Sequence, residues 1–291
     1  MPEMPEVETI VQALKRRIVG ETVADVVVEW PRSIALLSPA EFSRRVVGRS
    51  VTRVTRRGKF TIIRLAPPKL LVVHLGMTGR LLIDEASEPN ATAGVSQDAH
   101  TRVAIRFVSG KALRFRDVRK FGRIYLVDGA CEIPLLRDLG PEPLSDTFRP
   151  QTLRELLRRH RRQIKPLLLD QRILAGLGNI YVDESLWQAG IHPRTLSRAL
   201  STDEANGLYR AIRKVLRQAI RNRGTTIRDY RDPQDEPGEN QGALSVYRLE
   251  GQECRRCGHV ICRTIVAGRS THYCPACQPL QSTEYAMTAD R

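Results

Sequence analysis

The apolar residues of this chain change their period along its length, and that change limits the folds open to it. Segments 22–30 (TVADVVVEW), 50–56, 60–65, 70–75, 79–84, 102–108, 111–116 and 122–127 are short, β-branched or alternating, and turn chemistry such as Pro67-Pro68 and Ser109-Gly110 divides them. Such a run of strands predicts an antiparallel sandwich or barrel. Ahead of it, Val7, Ile10, Val11, Leu14 and Ile18 recur at helical spacing between Pro5 and Gly20, which predicts one amphipathic helix. The helical period returns from residue 150, over 150–160, 163–170, 181–189 and 200–223. The expected class is α+β: an N-terminal helix with an antiparallel β-sandwich, then a helical domain. A length of 291 residues agrees with more than one domain. The polar, small residues of 85–99 read as an exposed loop and 280–291 as a disordered tail. Residues 224–242 form a polar loop of a length that is usually functional or disordered.

Cys254, Cys257, Cys274 and Cys277 are spaced C-x2-C-x16-C-x2-C. Thiolates two residues apart on a tight knuckle bind one face of a tetrahedral ion, and a second knuckle closes the shell. The spacing predicts one structural Zn2+ on a small hairpin, with no open position for catalysis. Cys131 and Cys262 are unpaired by spacing and read as buried thiols. Arg269, in AGRSTH, falls at the expected hairpin tip, where a rigid backbone can present a cation to phosphate.

Charge narrows the partner. Lys+Arg number 47 against 32 Asp+Glu, a net charge of +15, and most of the cations are arginine. A planar guanidinium grips phosphate oxygens bidentately, so the balance points to nucleic acid rather than to a membrane surface. No apolar run approaches the ~20 residues of a membrane span. The start, MPEMPEVETI, is acidic where a signal peptide is basic and then apolar, so a cytoplasmic location is expected.

Two further segments carry chemistry. Residues 165–193 read as helix, glycine-rich double turn at Ala175–Asn179, and helix. The second helix N-terminus, with Asn179 and Lys165 nearby, suits a DNA phosphate. At the chain start, removal of Met1 would leave Pro2 as a secondary amine, able to attack an electrophilic sugar carbon, with the carboxylates of Glu3 and Glu6 close by.

MPEMPEVET, RGK at 57–59, HLGMTGR at 74–80, DVRKFGR at 117–123, LLLDQRILAGLGNIYVDESLWQAGIHP, GTTIRDY at 224–230 and AGRSTHYCPACQ stand in one collinear order. Together they resemble the bacterial formamidopyrimidine-DNA glycosylases, a family that includes the endonuclease VIII branch, over residues 2–278. The resemblance implies a catalytic β-sandwich domain at 2–135, a helix-two-turn-helix domain at 150–230 and a zinc-finger β-hairpin at 245–279. It implies a monomeric bacterial enzyme, associated with the nucleoid through DNA, that excises oxidised purines from damaged duplex DNA and then cleaves the abasic site. No redox or nucleotide cofactor is expected. On this likeness Pro2 is the nucleophile, Glu3 the proton donor to the opening sugar, a role that asks burial to raise its pKa, and Glu6 a second required carboxylate. Lys59 lies by the lesion and its phosphates. His74, Lys165, Asn179, Tyr247 and Arg269 resemble phosphate clamps around the flipped nucleotide. Met77, Arg119 and Phe121 match the side chains that fill the gap left by an everted base.

Departures from the family pattern are local. Glu239 and Asn240 stand where relatives tend to place aromatics after the EPG turn, and Arg248 replaces the usual glycine after Tyr247. The alternatives are an endonuclease VIII-like enzyme for oxidised pyrimidines and a damage-binding homologue without catalysis. MPEMPEVET and HLGMTGR favour the purine branch, and the presence of Pro2, Glu3 and Glu6 argues against a silent homologue.

Overall fold

The computed structural model describes residues 1–85 and 98–280. Most of the 85–99 loop and nearly all of the 280–291 tail read from sequence therefore lie outside the described residues, as does the side chain of Cys131. The chain divides into two compact units, Met1–Asp138 with Ile220–Gln241 and Leu139–Ala219 with Gly242–Arg291.

The first unit begins with α1 (Met4–Ile18), whose buried face is Val7, Ile10, Val11, Leu14 and Ile18, the stripe that the spacing predicts. Then come β1 (Val23–Val28), β2 (Ile34–Ala35), α2 (Pro39–Val46), β3 (Ser50–Arg57), β4 (Phe60–Ala66), β5 (Lys69–His74) and β6 (Gly79–Asp84). After them follow β7 (Thr101–Phe107), β8 (Ala112–Asp117), β9 (Arg123–Val127) and the short α3 (Pro134–Arg137). The strands make two sheets, ordered β1-β7-β8-β6 and β2-β9-β5-β4-β3. All ladders are antiparallel except the two-residue β2, which runs parallel to β9. The inner faces share one apolar core with α1, including Val54, Ile63, Val73, Leu81, Ile105 and Phe115. Alternating burial along β4 is the mark of a strand with one face to the core and one to water.

Three elements of this unit are absent from the sequence reading: α2, β2 and the four-residue α3. Helix α2 opens on Ser38, whose Oγ accepts from the amide of Glu41, with Pro39 in its first turn. It buries Phe42 and Val46, one turn apart.

The second unit holds α4 (Pro150–Arg159), α5 (Ile164–Leu169), α6 (Asn179–Ala189) and most of α7 (Thr202–Arg221), then β10 (Cys262–Val266) and β11 (Arg269–Tyr273). The double turn between α5 and α6 is shaped by Gln171, which accepts from Gly176 N and donates to the carbonyls of Leu169 and Leu177. Gly176, at φ +90°, takes a left-handed conformation that favours glycine. Cys262 begins β10 half-buried rather than buried, its Sγ against the Val260 carbonyl. Residues 224–242 are ordered: Thr225, Asp232 and Asn240 are buried, and Asp232 caps its own turn by accepting from the amides of Gln234 and Glu236.

Candidate DNA-lesion site and zinc hairpin

In the first unit the N-terminus is held by one carboxylate. Glu6 accepts from Glu3 N at 2.7 Å through Oε2 and from Thr225 N at 2.8 Å through Oε1. The bridge joins the start of α1 to the GTTIRDY segment more than two hundred residues later. Gly224, at φ +82°, is needed there, since a Cβ would come within 3.0 Å of Glu6 Cγ and Oε1. Tyr230 closes the far side, its hydroxyl donating to Arg223 O at 3.2 Å, and burial raises its pKa. Pro2, Glu3 and Glu6 are all buried.

Lys59 is 7% exposed in the two-residue turn between β3 and β4, behind Gly58 at φ +55°. Arg56 braces that turn, with Nε on Glu8 of α1 at 2.9 Å and Nη1 on the Gly58 carbonyl at 2.9 Å. The Met1 amino group lies in the field of Glu3, Glu6, Asp229 and Lys59, and burial is the largest effect, lowering its pKa. His74 pairs with Phe60 across β4 and β5 and packs on its ring at 4.8 Å. Burial, and then the charge of Lys59, depress its pKa to about 4, so the imidazole is neutral at pH 7. It can offer phosphate a hydrogen bond but no charge.

Met77, Arg119 and Phe121 come together at one end of the same sandwich. Arg119 Nη1 lies 3.2 Å from Met77 Sδ, and its guanidinium stacks 4.7 Å from the Phe121 ring centre. Met77 is 43% and Phe121 52% exposed, so neither is a core residue.

In the second unit the sequence-derived residues gather on one strand. Lys165 is fully buried and donates to Asp183 at 2.6 Å and to the Ser270 carbonyl at 2.8 Å. Asn179 Nδ2 donates to the same carbonyl at 2.9 Å. Both therefore act on the residue next to Arg269, which is exposed at the first position of β11, beside the Ala267-Gly268 turn. Asp183 also accepts from His272 N at 2.9 Å, and Tyr247 meets the His272 ring edge-on at 5.0 Å. Glu184 accepts from the amides of Ser245, Val246 and Tyr247, and burial raises its pKa against those three donors. Asp183 and Glu184 were not among the residues singled out from sequence. Their signal is two adjacent acids in a helix that is buried nearly all round, where a carboxylate must find partners.

The Sγ atoms of Cys254, Cys257, Cys274 and Cys277 all lie within 4.8 Å of one another, with individual separations of 3.4, 3.5 and 3.9 Å. A tetrahedral Zn2+ with ~2.3 Å bonds places its sulfurs about 3.8 Å apart, so the set fits the ion. Trp187 Nε1 donates to Cys254 Sγ at 3.4 Å and Cys277 N to Cys274 Sγ at 3.5 Å, bonds that favour thiolates. The four cysteines hold a structural zinc.

Comparison with known proteins agrees along the chain. Residues 1–124 match the formamidopyrimidine-DNA glycosylase N-terminal domain, 139–231 the H2TH domain of the same glycosylases, and 251–280 a zinc finger found in FPG and IleRS. The formamidopyrimidine-DNA glycosylase of Herpetosiphon aurantiacus is 45% identical over 96% of this chain and 100% of its own length. That of Enterococcus faecalis is 44% identical over 97% and 98%. Among solved structures, a Lactococcus lactis enzyme variant in complex with Fapy-dG DNA covers 96% of this chain and 100% of its own, with 36% identity and a TM-score of 0.87. The Thermus thermophilus protein covers 95% and 98%, with 41% identity and a TM-score of 0.83. With a buried Glu3–Glu6 N-terminus, a zinc hairpin pinned to α6 and relatives alike from end to end, this chain belongs to the formamidopyrimidine-DNA glycosylase family.

Proposed function

We propose that this protein is a DNA glycosylase of base excision repair that removes oxidised purines, 8-oxoguanine and formamidopyrimidines, and then cleaves the strand at the abasic site. The observation that carries the reading is the Glu6 bridge, which fixes the first residues of the chain in a buried, carboxylate-lined setting. On this reading Met1 is removed and Pro2 presents a secondary amine. Pro2 is buried, and burial disfavours the charged form of an amine, which favours the free base that attack requires.

The Pro2 nitrogen attacks C1′ as the C1′–N bond to the base breaks, and the proton that the nitrogen carried passes to the departing base. Glu3 gives a proton to O4′, the sugar ring opens, and the nitrogen lone pair completes an iminium. Loss of a C2′ proton then expels the 3′ phosphate, a second elimination expels the 5′ phosphate, and water frees the proline. Lys59 and Arg269 meet phosphates as cations and Asn179, Tyr247 and neutral His74 as hydrogen-bond donors, while Lys165 acts through the strand that it holds. Met77, Arg119 and Phe121 enter the stack. Monomeric action on duplex DNA in the cytoplasm belongs to the same proposal; no helix among the described residues is long and apolar enough to cross a membrane.

The test is borohydride trapping on a duplex with one 8-oxoguanine opposite C. Protein processed to Pro2 should form a covalent adduct and cut the strand. Protein that keeps Met1 has an amide at that nitrogen and should bind DNA without trapping. Full excision by protein that mass spectrometry shows to retain Met1 would remove Pro2 from the mechanism and leave Lys59 as the next amine to examine.

A further inference from the structure

We propose that Asp117 is a positioning residue that sets the spacing of Met77, Arg119 and Phe121 before DNA is met; the inference rests on the reading of those three side chains as gap fillers. They stand on two different turns. One turn leads from β5 in the five-stranded sheet to β6 in the four-stranded sheet, and the other leads from β8 back to β9. Both cross between sheets at the same end, since Gly79 pairs with Asp117 and His74 with Arg123. The turns pack backbone to backbone: a Cβ on Gly76 would meet Gly122 N at 2.8 Å.

Asp117 lies beneath both turns and is fully buried. Its Oδ1 accepts from Thr78 Oγ1 at 2.5 Å and from Arg119 N at 3.2 Å, and its Oδ2 accepts from Gly122 N at 2.8 Å. Thr78 Oγ1 in turn accepts from Arg119 N at 3.1 Å. One carboxylate therefore ties the residue after Met77 to the residues on either side of the Lys120-Phe121 pair. The Asp117 carbonyl accepts from Arg102 Nε at 2.8 Å, which fixes the carboxylate's own backbone. On the outer side Lys120, at φ +61°, sets its ammonium 3.8 Å from the Trp30 ring centre.

Two exposed apolar side chains on separate loops would otherwise move independently, and a wedge that must be ordered on binding loses affinity to that ordering. Asp117 touches no base or sugar in this scheme. Its loss should reach unstacking and reading of the opposite base, and leave the chemistry at C1′ intact.

The experiment uses full-length protein with Asp117→Asn, Thr78→Val and Thr78→Ser. Asparagine keeps the shape but turns one acceptor into a donor facing a donor. Valine removes one hydroxyl and leaves the carboxylate; serine restores the hydroxyl. Three quantities are read: the fluorescence rise of a 2-aminopurine placed beside the lesion, the ratio of excision opposite C to that opposite A, and trapping on a single-stranded abasic oligonucleotide. The fluorescence rise should fall in Asp117→Asn and Thr78→Val, and the excision ratio should shrink about tenfold, the size of one lost base contact. Single-strand trapping should change by less than about twofold, and Thr78→Ser should behave as wild type. If Asp117→Asn does not fold, Thr78→Val decides alone. A Thr78→Val protein with the wild-type fluorescence rise and ratio would overturn the proposal. Absence of any rise with wild-type protein would overturn the gap-filling reading, and the proposal with it.

Discussion

In the sandwich, the exposed Met77 and Phe121 stand on turns backed by an apolar core that runs from Val7 and Leu14 of α1 through Ile63 to Phe115. In the hairpin, the exposed Arg269 stands on two short strands whose clustered apolar support is Trp187, Val246, Ile261 and the buried Cys254 and Cys274. The first region is held by burial of hydrocarbon, and the second by a metal shell and a set of buried charges. A hairpin of this size cannot bury enough apolar area to fix its own strands, so coordination and ion pairing do that work. The two supports should respond differently to the same perturbations, and each unit carries its own tryptophan, Trp30 in the first and Trp187 in the second.

The largest difference should come from the metal. Chelation, or Cys274→Ser, should unfold the hairpin and lower DNA affinity by more than about a hundredfold, because structural zinc contributes directly to folding free energy. Trp187 fluorescence should change and the Trp30 signal should not. Normal binding by metal-free protein, checked by metal analysis, would remove the contrast between the regions.

Next is the buried pair. Asp183→Ala leaves the Lys165 ammonium buried without its carboxylate and strips His272 N of its acceptor, which should destabilise the second unit by about 3–5 kcal/mol. Denaturant titration with the Trp187 signal reads this. The double change Asp183→Leu with Lys165→Met should recover most of that stability, since an apolar pair of similar volume often replaces a buried ion pair at little cost. It should not recover DNA affinity, because β11 has lost two of its three anchors and keeps only Asn179 on the Ser270 carbonyl. Full recovery of both would mean that the charges support the hairpin only as filler.

Acid should act on both units through different histidines. Burial depresses His74 in the first unit and His192 in the second to about 4, with Lys59 and Arg194 adding to the effect. Between pH 6.5 and 4 the unfolded chain takes up protons that the folded chain refuses. Stability is therefore full above about pH 6.5 and falls as the pH drops toward 4, by on the order of 1–3 kcal/mol per histidine. His74→Gln should flatten the acid limb reported by Trp30, and His192→Gln the limb reported by Trp187.

The smallest effect is at Arg248, where the usual family glycine is replaced and the backbone stands at φ +60°. A left-handed non-glycine residue carries roughly 1–2 kcal/mol of strain. Arg248→Gly should relieve part of that and raise the melting temperature of the hairpin unit slightly, without moving the Trp30 transition.

Strands with one wet face announced themselves by alternation, and α1 and α7 by a buried stripe long enough to show its period. Helix α2 did not, because eight residues contain only Phe42 and Val46 as buried positions; its Ser38-Pro39-Ala40-Glu41 start was the available signal. The two-residue β2 leaves no pattern at all. At the site, features that are local in sequence were legible: the cysteine spacing and the place of Arg269 beside the hairpin turn. Groups that act by holding others were not. Asp183 and Glu184 act through amides far along the chain, and Asp117, although Arg119 and Gly122 are near it in sequence, is also tied to the distant Thr78, so no local window contains all the partners.

The Glu6 bridge also has a meaning for the order in which the molecule is made. Its two donors are Glu3 and Thr225, and the first unit is completed only by Ile220–Gln241. On a ribosome the sandwich strands emerge long before the segment that finishes their pocket, a delay of roughly five to fifteen seconds at ordinary elongation rates. Throughout that interval the sandwich strands lack the segment that holds their amino terminus. A nascent or truncated product ending short of residue 225 would thus carry the family's opening motif without the Thr225 amide that holds Glu6.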